Sequence, residues 1–248
     1  MCILFISRKK NSNWPLLIAT NRDEFYDRKF LSPGLNWKNY PSIYAGKDKK
    51  CGGSWLGVNK YGLCVAILNR KTHLTHDETF KSRGNLVIDA LKLKNAHDAK
   101  EKIINSFQNK YRFFNLFISD SKNSYLLKYD NFKLETISIP FGKSIIDNFD
   151  LNDKTSLRQA LNKKHFHSAS YPDPEKNKFD GWIKLLSLQS YNTKGKVTSI
   201  YVKDRQNNYG TVCSSIIGLP NTKTKSIFWL YRKSNDKFTS FKKLKLFS

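Results

Sequence analysis

The sequence predicts an α+β fold in which antiparallel sheets pack between layers of helices in one domain, residues 1–248. The predicted elements run in the order strands, helices, strands, helices and strands, which is typical of that class. The chain has 248 residues, of which 39% are apolar and 14% aromatic, so it can bury a sizeable core. No apolar run approaches the roughly 20 residues that a membrane-spanning helix needs.

The chain opens with a short apolar run, Cys2–Ser7, which predicts the first strand. This run is too short for a secretory signal and its charges follow it, so we expect a cytoplasmic protein. A small residue after the initiator Met usually allows that Met to be removed. Cys2 would then carry a thiol and a free α-amine, and the amine could act as the base for its own thiol. The alternative is that Cys2 is only a small residue in a buried strand.

Leu16–Thr20 predicts a second strand, paired with the first as a hairpin. The polar cluster Asn21–Phe25 follows directly. Polar groups at a strand end commonly form sites, although an ordinary charged loop would look the same. Residues 30–40 are aromatic and punctuated by Pro and Gly, which predicts a loop that could cover a pocket. Residues 63–68 predict another strand, which ends at Asn69.

The rest of the chain alternates between helical and strand-like patterns. Helical spacing of apolar residues predicts four helices, at 82–94 (with Ser82 as the N-cap), 98–107, 154–164 and 180–190. Short apolar runs predict further strands at 113–119, 124–129, 132–139, 143–146, 211–218, 225–232 and 237–246.

Charge limits the choice of partner. The chain has 44 basic and 20 acidic residues, which gives a formal net charge of +24. Such a surplus can mean contact with nucleic acid, but here the basic residues are spread along the chain without a recognisable nucleic-acid-binding motif. We therefore expect a solvated basic surface, no specific nucleic acid, and at most weak contact with anionic membranes. Nucleic-acid binding remains a minor alternative.

Cysteine and histidine spacing indicates no metal site. The four Cys residues lie far apart with no paired spacing, so neither a disulfide framework nor a zinc site is predicted. The pairs His73 and His76, and His165 and His167, fall in stretches that we interpret as polar loops without partners at ligand spacing. We expect no metal and no cofactor.

Three stretches resemble the NRDE family, also called the transport and Golgi organisation protein 2-like family. They are Met1-Cys2-Ile3, Asn21–Phe25, and Gly52–Gly57 followed by Gly62 and Asn69. Ser82-Arg83-Gly84 is a weaker similarity. The resemblance implies an N-terminal-nucleophile hydrolase-like fold, a four-layer αββα sandwich of two antiparallel sheets. It also implies kinship with bile-salt hydrolases and penicillin V acylases, which cleave linear C–N amide bonds with Cys as the first residue.

The resemblance also implies roles for individual residues. Cys2 would be the nucleophile, and Asn69 would donate to the oxyanion. Asn148 matches a second Asn that precedes a helix. Arg22 and Asp23 are the closest matches to an Arg and an Asp at the end of the second strand. Asp23 would hold the ammonium group of the mature terminus, and Arg22 would lower the pKa of the thiol.

Two alternatives stay open at the Arg–Asp position. An offset of one residue would put Asn21 and Glu24 there instead, and Arg22 and Asp23 could equally form a structural ion pair. One departure concerns a later position, where the family usually carries Arg and this chain has Val212. The loss of that cation removes charge-assisted binding of roughly 1.5–3 kcal/mol to an anionic group, which bears on both hydrolysis and the choice of substrate.

These observations lead to two hypotheses of different classes. The first is a Cys2 amidohydrolase that acts on an N-acyl compound. The second is a non-enzymatic protein that binds and traffics a hydrophobic ligand such as haem or acyl lipid, with haem as cargo and not as cofactor. Either ligand would suit an apolar wall, which we expect to contain Phe25, Tyr26, Phe30, Trp37, Tyr40, Tyr44 and Trp55.

Overall fold

The structure is a computed structural model that describes residues 2–71, 80–189, 198–221, 225–234 and 240–247. The chain divides into two compact units. The first contains the N-terminal residues up to Asp27 together with Phe141–Leu244. The second contains Arg28–Pro140 and a short stretch that begins at Lys245. Among the described residues, each unit has one antiparallel sheet and two helices.

The secondary structure runs in the following order. The strands are β1 (Ile3–Arg8), β2 (Leu16–Phe25), β3 (Phe30–Gly34), β4 (Ile43–Asp48), β5 (Leu56–Asn59), β6 (Cys64–Asn69), β7 (Phe114–Ser119), β8 (Ser124–Asp130), β9 (Lys133–Ser138), β10 (Gly142–Ile146), β11 (Lys203–Asp204), β12 (Tyr209–Leu219), β13 (Phe228–Lys233) and β14 (Lys242–Lys243). The helices are α1 (Gly84–Leu91), α2 (Ala96–Asn105), α3 (Leu157–Ser168) and α4 (Asp180–Leu186).

The sheet of the first unit has the order β10-β1-β2-β12-β13-β14, with β11 paired to β12. Successive residues of a strand point to opposite faces. Alternate residues of β1 and β2 accordingly pack against α3 and α4. This core includes Ile3, Phe5, Leu17, Ala19, Phe166 and Trp182. Residues of the other parity, such as Thr20 and Arg22, lie on the face of the sheet away from these helices.

The sheet of the second unit is a meander, β3-β4-β5-β6-β7-β8-β9, in which each strand pairs with the next along the chain. One face packs against α1 and α2, where Val65, Leu91, Ile103 and Leu116 are fully buried. Within the part of the chain that the structure describes, no helix is long and apolar enough to cross a membrane. The predicted α+β class with two antiparallel sheets is confirmed.

Several local predictions were wrong. The cluster Asn21–Phe25 does not follow the second strand but forms the end of β2, because β12 pairs with it as far as Phe25. The predicted loop at 30–40 contains β3. The N-cap of α1 is Arg83 and not Ser82.

The last predicted strand, 237–246, is reduced to β14 among the described residues, and residues 235–239 lie outside them. The second pair of histidines also differs from the prediction, because His165 and His167 belong to α3 and not to a loop.

Candidate functional site

Neighbouring strands of the first unit place Cys2, Arg22 and Cys213 in one row. The β1–β2 ladder ends at Ile3 opposite Asn21, so the next residue on each side sets Cys2 beside Arg22. Arg22 is paired in turn with Cys213 on β12. Directly opposed residues point to the same face of a sheet, so two cysteines flank the arginine.

Asn148 follows β10, the strand on the other side of β1. The β1–β10 ladder ends at Leu4 opposite Ile146, and Asn148 is a buried residue of the bend that begins after this last pair. The fold thus brings together two of the predicted site residues, Cys2 and Arg22, from neighbouring strands. The place of Asn148 in the site stays a prediction.

The thiol of Cys2 has a specific hydrogen-bond donor. Because β2 continues past the end of β1, Asp23 lies beyond the last β1–β2 pair, and its backbone N–H donates to the Cys2 sulfur. Burial raises the pKa of the Cys2 thiol and the charge of the Asp23 carboxylate raises it further, while this N–H and the charge of Arg22 act in the opposite direction. The residue as a whole is half-buried. Cys2 is therefore held mainly as a neutral thiol at neutral pH, next to groups that stabilise the thiolate when it forms.

We expect alkylation of Cys2 by iodoacetamide to require a higher pH than alkylation of an unstructured cysteine peptide, because the thiolate is the reacting form. Replacing Arg22 with Met should move the pH profile further upward, since the charge that favours the thiolate is lost. The measurement is mass-spectrometric labelling in a Cys51→Ser background, which removes the exposed cysteine. If Arg22→Met left the pH dependence of Cys2 alkylation unchanged, this would contradict the position of Arg22 beside the Cys2 thiol.

Cys213 is a member of the row that the sequence did not single out. It is fully buried, and burial raises its pKa to about 12, with Arg22 acting in the opposite direction. Cys213 lies far from the other cysteines in the sequence, so cysteine spacing did not predict its position in the row. Its thiol stays protonated at neutral pH.

The carboxylate of Asp23 is held by partners other than Arg22. Its Oδ2 accepts a hydrogen bond from Nη2 of Arg158 at 2.8 Å, and its Oδ1 accepts one from the hydroxyl of Thr211 at 2.6 Å. Arg158 also donates from Nε to the carbonyl oxygen of Ser199 at 2.9 Å. The side chains of the ion pair are 4% and 0% exposed. Arg158 therefore ties α3 to β2, and nothing in its sequence context distinguishes it from the other basic residues.

Arg22 has an acidic partner of its own. Its Nη2 lies 3.5 Å from Oε2 of Glu24, two residues further along β2. The two residues thus share the face that carries the row, whereas Asp23 points its side chain to the helix face. Arg22 is paired with Glu24 and Asp23 with Arg158. The structural ion pair between Arg22 and Asp23 stays one of the two interpretations of this position.

The offset alternative places Asn21 among the site residues, but its side chain faces α4. Its Nδ2 donates to the carbonyl oxygens of Leu186 at 3.0 Å and Ile200 at 2.8 Å. Asn21 is fully buried there. These bonds anchor β2 to the end of α4, so the observed contacts of Asn21 are structural.

A β-bulge interrupts β12 beside the row. The register shifts between Thr211 and Cys213, which leaves Val212 as the extra residue. Val212 is buried, and its carbonyl oxygen accepts a hydrogen bond from the backbone N–H of Ser234 at 2.9 Å. Bulges are common next to active sites because they redirect side chains. The departure from the family pattern therefore lies directly beside the row.

Asn69 belongs to the second unit, where it ends β6 with an exposed side chain. Its role as an oxyanion donor stays a prediction. The aromatic residues expected to form one wall belong to both units and have separate partners. Phe25 packs on Tyr209 at 5.4 Å between ring centroids, and Phe30 packs on Trp55 at 5.3 Å. The wall also stays a prediction.

His73 and His76 lie outside the described residues. Among the residues that are described, no group of three or more His, Cys, Asp or Glu side chains is placed to hold a metal ion.

Comparison with solved structures defines the class of protein. The chain is similar to penicillin V acylase from Agrobacterium tumefaciens, with a TM-score of 0.57 and 12% identity, over 94% of this chain and 83% of that chain. It is also similar to the Caenorhabditis elegans N-acylethanolamine-hydrolyzing acid amidase ortholog, with a TM-score of 0.56 and 10% identity, over 90% of this chain and 94% of that chain. The chain has the N-terminal-nucleophile hydrolase fold, as the resemblance predicted.

Within that fold, the sequence identifies the family. The model of the family described as Transport and Golgi organisation 2 matches residues 1–229, and the chain belongs to this family. The mouse Transport and Golgi organization 2 homolog is 30% identical over 141 residues, which are 53% of this chain and 50% of that protein. The chain thus spans about half the length of the curated relatives it matches.

Proposed function

We propose that the chain is a Cys2 amidohydrolase that cleaves a linear C–N amide bond of an N-acyl compound after removal of Met1. The observation that carries this proposal is the hydrogen bond from the N–H of Asp23 to the Cys2 sulfur, in a row with Arg22. The two similar proteins are named as an acylase and an N-acylethanolamine-hydrolyzing amidase, which supports the reaction class.

The reaction would begin at the free α-amine of Cys2. The amine takes the thiol proton as the sulfur attacks the carbonyl carbon, so a C–S bond forms and the carbonyl oxygen becomes an oxyanion. Collapse of this intermediate breaks the C–N bond, and the ammonium group returns the proton to the leaving amine. Water then attacks the thioester, releases a carboxylic acid and restores the thiol.

The neighbouring residues would stabilise the charges that develop. Arg22 and the N–H of Asp23 favour the thiolate. The family resemblance implies Asn69 as an oxyanion donor and Asn148 as a further site residue. Removal of one such donor typically lowers the rate about 100- to 1000-fold. Arg158 and Thr211 hold the Asp23 carboxylate in place, and its contact with the ammonium group of the mature terminus stays a prediction of the family resemblance.

Two observations favour a second candidate, a binding and trafficking protein for a hydrophobic ligand such as haem or acyl lipid. Burial keeps the Cys2 thiol largely protonated. Val212 stands where the family usually carries a cation, so a charged substrate would lose one anchor. Both features weaken catalysis without preventing a ligand from binding.

We expect intact-mass measurement to show a chain that lacks Met1, because the proposed nucleophile requires the free amine of Cys2. Cys2→Ala should abolish release of the amine from a panel of N-acyl amides, while Cys51→Ala should retain the activity, since Cys51 is an exposed cysteine of the second unit.

A retained Met1, or turnover that survives Cys2→Ala, would contradict the hydrolase. Absence of turnover by the wild-type chain, together with an unchanged haem absorbance titration in Cys2→Ala, would favour the carrier. Absence of any spectral change with micromolar haem would count against haem as the cargo.

A further inference from the structure

A cluster of cations and aromatic rings lies in the first unit, at the end of β1 far from Cys2. It gathers where β1 ends, where β10 begins and beside the C-terminus of α3. We call it the basic–aromatic patch, and its members are Arg8, Lys9, Lys10, Phe141, Lys143 and Tyr171. The six residues of β1 separate it from Cys2 by roughly 20 Å.

Two exposed rings form the centre of the patch. Phe141 is 49% exposed and Tyr171 is 39% exposed. The ammonium group of Lys9 lies 3.4 Å from the centroid of the Tyr171 ring, and that of Lys143 lies 4.4 Å from the same centroid. The Phe141 ring is likewise contacted by two cations, Arg8 at 4.4 Å and Lys10 at 5.0 Å. Each ring therefore carries two cations and exposes part of its apolar surface.

The cations of the patch repel one another. Burial lowers the pKa of Lys143, and the charge of Lys9 lowers it further. Burial also lowers the pKa of the neighbouring His167, with the charges of Lys143 and Lys163 as further causes. Lys143 itself donates to the carbonyl oxygens of Phe166 and His167 at the end of α3.

No ion pair joins Lys9, Lys10 or Lys143 to a carboxylate within the described ranges of the chain. An external anionic surface would relieve this repulsion.

We propose that the basic–aromatic patch is a docking surface for an anionic lipid bilayer. Basic side chains near such a surface gain from its negative potential, and aromatic rings settle at the level of the headgroups. Single-stranded nucleic acid is the less suitable partner because its bases stack on open ring faces. Here both rings already carry two cations each. The proposal is independent of amide hydrolysis, because the patch shares no residue with the row around Cys2.

The test is sedimentation of the full chain with phosphatidylcholine vesicles that contain or lack phosphatidylserine. Binding should require phosphatidylserine and weaken with salt. Replacing Lys9 and Lys10 together with Gln should weaken binding about thirtyfold, or fivefold to sixfold for each basic side chain lost. The matched control replaces Lys49 and Lys50 with Gln, two exposed lysines of the second unit, and should bind nearly as the wild type does.

Phe141→Ser tests the aromatic contribution separately. It should weaken binding to the phosphatidylserine vesicles while leaving retention on a heparin column unchanged, because heparin has no apolar layer to receive the ring. If the Lys9/Lys10 and Lys49/Lys50 variants lost vesicle binding equally, the assignment of the patch as the docking surface would be overturned. Binding to single-stranded RNA that is stronger than vesicle binding and lost in the Lys9/Lys10 variant would overturn the choice of partner.

Discussion

Replacing Arg158 with Met should lower the free energy of unfolding by about 3–5 kcal/mol, the usual result of removing one partner of a buried ion pair. The side chain of Asp23 is 0% exposed, and Arg158 is its charged partner at 2.8 Å. Without the guanidinium group the buried carboxylate would lose this charged hydrogen-bond donor. The measurement is urea unfolding followed by tryptophan fluorescence, for which the fully buried Trp182 next to α3 provides a signal.

The matched control is Lys92→Met, which breaks an exposed ion pair with Asp89 at 2.8 Å. Exposed pairs of this kind contribute about 0–1 kcal/mol, so this variant should unfold nearly as the wild type does. Adding Asp23→Asn to Arg158→Met should recover part of the loss, because a neutral amide is cheaper to bury than a carboxylate. If Arg158→Met lowered the free energy of unfolding by no more than Lys92→Met does, the buried ion pair would not have the stabilising role that we assign to it.

The position of Asp23 relates this stability effect to the candidate site. One residue supplies a backbone N–H to the Cys2 sulfur on one side and a carboxylate to Arg158 on the other. The helix α3 therefore holds the part of β2 that contacts the thiol. Replacing Arg158 should weaken the contact between the N–H of Asp23 and the Cys2 sulfur. The pH dependence of Cys2 alkylation should therefore change together with the free energy of unfolding. The Lys92→Met control should leave the profile in place.

The sequence predicted what depends on local pattern and missed what depends on distant partners. The first hairpin, the four helices and most strands follow from the spacing of apolar residues. The extension of β2 through Arg22 and Asp23 does not, because these polar residues enter a strand through pairing with β12, nearly 190 positions later. Tertiary pairing overrode the local preference for a loop.

Two further misses have physical reasons of the same kind. Pro33 and Gly34 indicated a loop, but β3 is the edge strand of its sheet, where Pro is tolerated because one side needs no ladder hydrogen bonds. Arg158 could not be chosen among 44 basic residues, since its partner Asp23 lies 135 residues away. By contrast, Cys2 was singled out from its position after Met1, and Asn148 was proposed through the family resemblance, which carries long-range information that periodicity lacks.

Replacing Gly53 with Ala should be strongly destabilising, by about 3 kcal/mol. A Cβ atom at Gly53 would lie 2.5 Å from the backbone carbonyl carbon of Gly84 and 2.8 Å from its Cα. Backbone atoms cannot move aside as the end of a flexible side chain can. The N–H of Ser54 also donates to the carbonyl oxygen of Gly84 at 3.1 Å, which fixes the two segments together at the start of α1.

The neighbouring Gly52 is the matched control for that variant. It has a φ of +73°, and no atom lies within 4 Å of the position that a Cβ would take, so Gly52→Ala meets only the backbone strain, about 1 kcal/mol. Urea unfolding of both variants separates close packing from strain. Equal losses would mean that the segments can shift apart. A larger loss of stability for Gly53→Ala would show that the close packing matters. The backbone around Gly84 occupies the space that a Cβ atom of residue 53 would need, and the backbone of Gly53 and Ser54 occupies the space that a Cβ atom of residue 84 would need.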